Sequence, residues 1–296
     1  MTKLAAARRA ALAALSDARR RSGRIRDIIR THRAFQGLSA VDRALATRLA
    51  VGAVSALNLL DELITERVRR PSSLEPRVKD ALRIAAFELL YLETPQEVAV
   101  SQGVELVRSV APRATALANA LLRRIGSELR PQIDAARDAL IARAARPDEL
   151  RLVSGLPLWL LDRISHDRGA AAAASLAQAN LEPAPVYVFA EDPASLERFS
   201  PLPTDLDATF ELQAPGDLFD SGLVQSGAVV VSDLSAHRIC ALIAAHAPAS
   251  ILEVGQGSGT KTLIIARRCD AEITAIDLLG SKVAVARERL DRAGLG

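Results

Sequence analysis

The spacing of apolar residues changes once along this chain of 296 residues, and that change limits the folds open to it. Up to about residue 180, apolar side chains recur every three or four positions. Leu45, Leu49, Ala53, Leu57, Leu60, Ile64 and Val68 form one series, and Val78, Leu82, Ala85, Ala86, Leu89 and Leu90 form another. This period predicts helices that must bury one face against each other. Ser39, with Asp42 three residues on, predicts a capped helix start. An earlier helix carries Leu4, Leu12 and Leu15 and should break near Ser22-Gly23, with a short helix over 24–33. Pro71 to Pro76 separates two series, Thr94-Pro95 opens the next, Pro112 closes it, and Leu117 to Ile125 is the last clear helix of the block. Connections this short predict a compact bundle.

Residues 131–185 stay helical, the run Ala170–Ala174 included, because alanine has the best helix propensity. Past Asn180 the pattern turns to strands: Val186-Tyr187-Val188-Phe189, then Gly227-Ala228-Val229-Val230-Val231, with turns at Pro201, Pro203 and Gly216. The remainder reads as a helix over 235–245, a strand over 250–254, a glycine-rich turn, a helix over 261–269, a strand over 272–277 and a helix over 282–293. This is half of a doubly wound α/β unit. Two strands alone should leave unpaired edges and a bare apolar face. No internal repeat or low-complexity linker interrupts the chain.

Hydrophobic residues make up 49% of the chain, ample for buried cores, and no apolar run reaches the ~18 residues of a membrane span. Arginines recur through residue 33, so no signal peptide is read and a cytoplasmic chain is expected. Formal net charge is only +3, but residues 1–36 hold ten bases and two acids. That block includes Lys3, Arg8, Arg9 and Arg33, and its candidate phosphate contacts are Arg19, Arg20, Arg21, Arg24, Arg26 and Arg30. A local arginine block points to a polyanionic partner, and a solvated charged face is the alternative. Cys240 and Cys269 make neither a disulfide framework nor a metal spacing, and both are expected as small core residues. His32, His166, His237 and His246 are scattered, and no metal is expected. The single tryptophan, Trp159, is expected in the core.

Chemistry is expected at Glu253-Val254-Gly255-Gln256-Gly257-Ser258-Gly259-Thr260-Lys261. Glycines between a strand and a helix let backbone N–H groups approach a ligand closely. An acid ending the next strand can accept from both ribose hydroxyls, and Asp277 lies 18 residues after Gly259. A dinucleotide loop wants G-x-G-x-x-G, whereas Thr260 stands at the third glycine. A phosphate loop needs glycine just before Lys261-Thr262, and that position is again Thr260. A nicotinamide site and a purely structural turn remain the alternatives.

The run Glu253 to Gly259 reads E-x-G-x-G-x-G, which resembles motif I of Rossmann-like methyltransferases. Three upstream stretches resemble one family in order. Leu38-Ser39-Ala40-Val41-Asp42-Arg43, Gly52, Leu60-Asp61, Leu82-Arg83 and Asn119-Ala120-Leu121-Leu122-Arg123 look like a NusB-type RNA-binding domain. Pro157-Leu158-Trp159-Leu160 resembles the proline–tryptophan–leucine signature of RsmB/Sun-type ribosomal RNA methyltransferases. Val231-Ser232-Asp233-Leu234-Ser235-Ala236 resembles their segment before the donor-binding strand. The loop departs from the family's C-A-A-P-G-G-K-T: only the Gly259 position and Lys261-Thr262 coincide.

The resemblance implies a multidomain chain: an all-α NusB-like bundle over 1–135, a small α+β connecting region over 136–228, and the first part of an α/β Rossmann-like methyltransferase domain over 229–296. It implies a cytosine-5 methyltransferase acting on RNA, ribosomal RNA in the first place. S-adenosyl-L-methionine would be held by Glu253, Gly255, Gln256, Gly257, Ser258, Gly259, Thr260, Lys261 and Asp277. The family's catalytic thiolate and second cysteine follow later strands, so 1–296 alone is expected to be inactive and no catalytic residue is assigned. A noncatalytic NusB-like RNA-binding protein of the antitermination type is the alternative.

Overall fold

The structure is a computed structural model that describes residues 4–295. The chain divides into two compact units, Met1–Pro183 and Ala184–Gly296.

The first unit is helical: α1 (Ala6–Arg21), α2 (Ile25–Thr31), α3 (Ala40–Ser55), α4 (Leu57–Arg67), α5 (Pro76–Tyr91), α6 (Gln96–Arg108), α7 (Thr115–Ile141), α8 (Pro147–Ser154), α9 (Leu158–Arg168) and α10 (Ala170–Asn180). Small residues let α1 and α3 approach closely: Ala7, Ala11, Ala14, Ala46, Ala50 and Ala53 are all fully buried. Ser39 caps α3 as expected, its Oγ accepting from the Asp42 N–H at 3.1 Å. The series from Leu45 to Val68 is not one helix, however. It breaks at Ala56 and turns by 77°. Gly155 crosses at the break, where a Cβ would lie 2.5 Å from that of Ala56. Both helices bury apolar faces, so the period runs on through the bend without a local signal.

Several charges sit inside this bundle. Arg8 Nε donates to Glu88 Oε2 at 2.8 Å, and the Glu88 side chain is buried. Asp80, fully buried, accepts from Ser16 Oγ at 2.9 Å, Arg19 Nε at 3.0 Å and Arg83 Nη1 at 2.9 Å. Arg83 also grips Asp61 with two parallel bonds of 2.6 and 2.7 Å. Buried carboxylates persist because guanidinium donors satisfy them.

Two expectations give way here. Trp159 is not in the core but 68% exposed. Leu161, with Ile164, faces the local core of α8 to α10, and Trp159 lies on another side of α9. The expected boundary at 135 falls inside α7, and residues 136–228 form no unit of their own. Leu152 and Leu181 of their helical part pack into the core of the preceding helices, and the Tyr91 hydroxyl donates to the Leu152 carbonyl at 2.8 Å. Their strands pair instead with a strand beyond residue 228.

The second unit contains β1 (Val186–Ala190), β2 (Pro201–Pro203), β3 (Thr209–Leu212), β4 (Val229–Ser232), α11 (Leu234–Ala245), β5 (Ser250–Val254), α12 (Thr260–Arg268), β6 (Glu272–Ile276) and α13 (Gly280–Arg292). An antiparallel sheet has the order β2-β3-β1-β4, with Val188 opposite both Phe210 and Val231. Alternation along β1 sends Val188 and Ala190 into one core and Phe189 into another, with Val230, Cys240, Leu263 and Ile265. Pro201 and Pro203 were expected at turns, but they form edge strand β2, a position that tolerates a missing N–H. β5 and β6 make a separate parallel pair. One side of that pair presents exposed Leu252, Val254 and Ile276, the bare face expected of two strands. No single helix among the described residues is long and apolar enough to cross a membrane.

A Cβ added at Gly52 would lie 1.9 Å from Cζ of the fully buried Phe87. Gly52→Ala should therefore destabilise the bundle by about 1–3 kcal/mol, the cost of overpacking a filled core. Urea unfolding checks this as a lower midpoint with an unchanged slope.

Candidate functional site

The turn after β5 is built by the pairing of β5 with β6. Their five-residue register ends with Val254 opposite Ile276. The Ile276 carbonyl then accepts from both Gly255 N–H at 2.8 Å and Gln256 N–H at 3.1 Å. This bends the chain back over the end of β6. Gly255, Gly257 and Gly259 all have positive φ, at 78°, 59° and 72°, which explains three glycines in five residues.

The next residue after β6 closes the arrangement. Asp277 Oδ2 accepts from Gly257 N–H at 2.8 Å, and Oδ1 accepts from Leu279 N–H at 2.9 Å. The N–H of Leu279 and then that of Gly257 hold the Asp277 carboxyl below the usual carboxylate range. Each oxygen takes one of these N–H groups and keeps a lone pair for another donor.

The candidate residues divide into two groups. Gly255, Gly257 and Asp277 come together at the open side of the turn. A Cβ at Gly255 or Gly257 would meet nothing within 4 Å, so free space lies above the backbone there. The amides of Thr260, Lys261 and Thr262 open α12 and lack intrahelical partners by their position. By contrast, the amides of 255, 256, 257 and 259 are already engaged within the protein, Gly259 N–H donating to the Gln256 carbonyl at 3.1 Å. The cradle expected from every amide of the turn is thus reduced to the Ser258 amide, the start of α12 and the carboxylate.

Glu253 lies on the buried side of β5, between exposed Leu252 and Val254. Its Oε2 accepts from Thr262 Oγ1 at 2.6 Å, while Oε1 makes no hydrogen bond and has the Lys261 ammonium 3.4 Å away. Glu253 and Lys261 therefore anchor α12 to β5. Gln256 is buried as well.

Two residues of α13 that sequence reasoning missed shape the turn from outside. Arg289 Nη1 donates to the Ser258 carbonyl at 2.8 Å and to Thr260 Oγ1 at 2.9 Å. Ala286 packs so closely that a Cβ at Gly259 would lie 2.8 Å from its Cβ. Their three-residue spacing puts both on one face of α13, a signal that gains meaning only once the partner is known. Cys240 is fully buried, and burial pushes its thiol up to about 11, so it is no nucleophile at neutral pH. Among the described residues, no group of three or more His, Cys, Asp or Glu side chains could hold a metal ion.

The basic block at the N-terminus is partly spent on the fold. Arg8 and Arg19 hold Glu88 and Asp80, Arg20 and Arg21 pair with Asp17, and Arg30 lies 3.7 Å from Asp27. Arg24, Arg26 and Arg33 are exposed, and Lys3 lies outside the described residues.

Comparison with known proteins places these features. The NusB family matches residues 5–127. Transcription antitermination protein NusB of Shewanella pealeana is 32% identical over 105 residues, which are 35% of this chain and 78% of that protein. Through its helical N-terminal domain, the chain belongs to the NusB family. Homology also runs on past the NusB domain. Ribosomal RNA small subunit methyltransferase B of Thermus thermophilus is 30% identical over 264 residues, 86% of this chain and 56% of that protein. A probable methyltransferase B of Bacillus subtilis is 24% identical over 87% of this chain and 59% of its own length. The chain thus spans little more than half the length of these methyltransferase relatives. In fold it matches the crystal structure of PH0851, with a TM-score of 0.69 and 16% identity over 100% of this chain and 68% of that one.

Because the folded Asp277 carboxyl is depressed, its grip on the turn is complete above the ordinary carboxylate range, near 3.9, and is lost as pH falls through the lower folded value. Carbon-detected NMR should show Asp277 titrating below that range, with the Gly257 and Leu279 amides moving in the same step. A midpoint at or above it would remove the two amide bonds from the account.

Proposed function

We propose that the chain provides the RNA-binding module and the first part of the donor site of a ribosomal RNA (cytosine-5) methyltransferase that uses S-adenosyl-L-methionine. The observation that carries this reading is Asp277 held 2.8 Å from the Gly257 amide, beside free space over Gly255 and Gly257. Homology to methyltransferase B proteins over 86% of the chain supports the same conclusion.

The residues present suit an adenosyl ligand. Asp277 would accept from the two ribose hydroxyls with the lone pairs its amide partners leave, and the carboxylate is fixed in place before the ligand arrives. Any side chain at Gly255 or Gly257 would intrude on that space and require a strained φ. The amides that start α12 add a partial positive charge suited to the donor's carboxylate. The donor, when bound, supplies an electrophilic methyl group. Glu253, Lys261 and Arg289 would act indirectly by fixing α12 and the turn.

RNA would be held by the exposed arginines of the basic block. Arg24 and Arg26, which make no ion pair among the described residues, and Arg30, whose partner is distant and exposed, are better placed than Arg19, whose guanidinium serves Asp80. The NusB family domain supports RNA as the partner.

Two measurements test the reading. In isothermal titration, S-adenosyl-L-methionine should bind the chain, and Asp277→Ala should weaken binding at least tenfold, about 1.4 kcal/mol. No heat of binding to a folded chain would remove the donor assignment and leave a NusB-type RNA-binding protein. Separately, the triple change Arg24→Ala, Arg26→Ala and Arg30→Ala should weaken binding of a ribosomal RNA fragment. It should lower the slope of affinity against salt by up to about 0.9 per lost phosphate contact in a duplex region. Arg19→Ala should instead lower thermal stability.

A further inference from the structure

The second unit holds a cavity of about 550 Å³ at the C-terminal end of α12, the end opposite the glycine turn. Phe189, Glu191, Ala241, Ala244, Arg267 and Arg268 are among its lining. The volume lies within the range of about 300–1,000 Å³ common for small-ligand sites. Two guanidiniums enter its wall, and their charges are met differently. Arg267 Nη1 donates to the Glu191 carboxylate at 2.7 Å. Arg268 Nη2 donates only to neutral acceptors, the Asp207 carbonyl at 2.8 Å and Thr209 Oγ1 at 2.9 Å. Its guanidinium carbon stands 4.8 Å from the Phe189 ring centroid.

Nε of both arginines is buried without a hydrogen-bond partner. The carbonyl end of α12 offsets part of the charge. No carboxylate forms an ion pair with Arg268 among the described residues, and desolvation lowers its pKa although the Asp207 charge opposes this. Asp207 also lines the cavity, but Arg268 is bonded to its carbonyl and to no carboxylate, so this half-buried cation facing a ligand-sized cavity keeps bonding capacity for an anion. The planar fork of arginine selects tetrahedral oxyanions that can take two parallel bonds.

We propose that this cavity binds a phosphate group, with Arg268 as its principal cation and Arg267 as the second. The phosphate belongs either to a small free ligand or to an RNA backbone. The assignment is independent of the donor site, which lies at the other end of α12.

The test uses the full chain labelled with ¹⁵N and follows the arginine Nε–H signals, Arg268 being assigned through Arg268→Lys. Inorganic phosphate and a ribodinucleotide with one phosphodiester are titrated separately. A saturable shift of the Arg268 signal is expected with at least one of them. Tighter binding of the dinucleotide identifies an RNA backbone, and response to inorganic phosphate alone identifies a free ligand. Arg268→Gln should weaken the response at least tenfold. Ala244→Leu, which fills the cavity and keeps both guanidiniums, should do the same, and it decides the matter if Arg268→Gln fails to fold. An Arg268 signal unmoved by either probe, or undiminished binding in Ala244→Leu, overturns the proposal.

Discussion

The pairing of β5 with β6 governs the geometry of the candidate site. Because Val254 stands opposite Ile276, one carbonyl receives two successive N–H groups and turns the chain, and the next side chain, Asp277, reaches Gly257. Slipping the register by one residue would send the Asp277 side chain to the other face. The glycines alone would give a permissive loop. Strand pairing, the carboxylate and the Arg289 contacts with Ser258 and Thr260 give it one shape.

Charge in the helical unit follows a different logic. Arginine dominates the first 36 residues, yet Arg8 and Arg19 serve buried carboxylates on α5. These arginines join α1 to α5 across 61 and 80 residues of sequence. Removing one partner would strand a charge away from water, which costs far more than a surface pair contributes. The charge that the block leaves unpaired is therefore smaller than its sequence total.

A similar separation divides the residues of the glycine motif. Side chains alternate along β5, so Glu253 points into the protein while the backbone after Val254 opens outward. An acid and a lysine that flank the glycine turn in sequence thus lock α12 to its strand. Gly255, Gly257 and Asp277 face the free space.

By itself, the sequence determined the order of helices followed by strands, the cap at Ser39, the glycine turn and the acid that ends β6. Each of these is encoded by neighbours in the chain, through a period, a cap or a required positive φ. Only the tertiary structure decided the bend at Ala56, the exposure of Trp159, the assignment of residues 136–228 to two different units, and edge strands carrying proline. It also decided which amides of the turn are free and that Arg289 braces it. All of these depend on partners far away in sequence, and periodicity reports that a face is buried without saying what covers it.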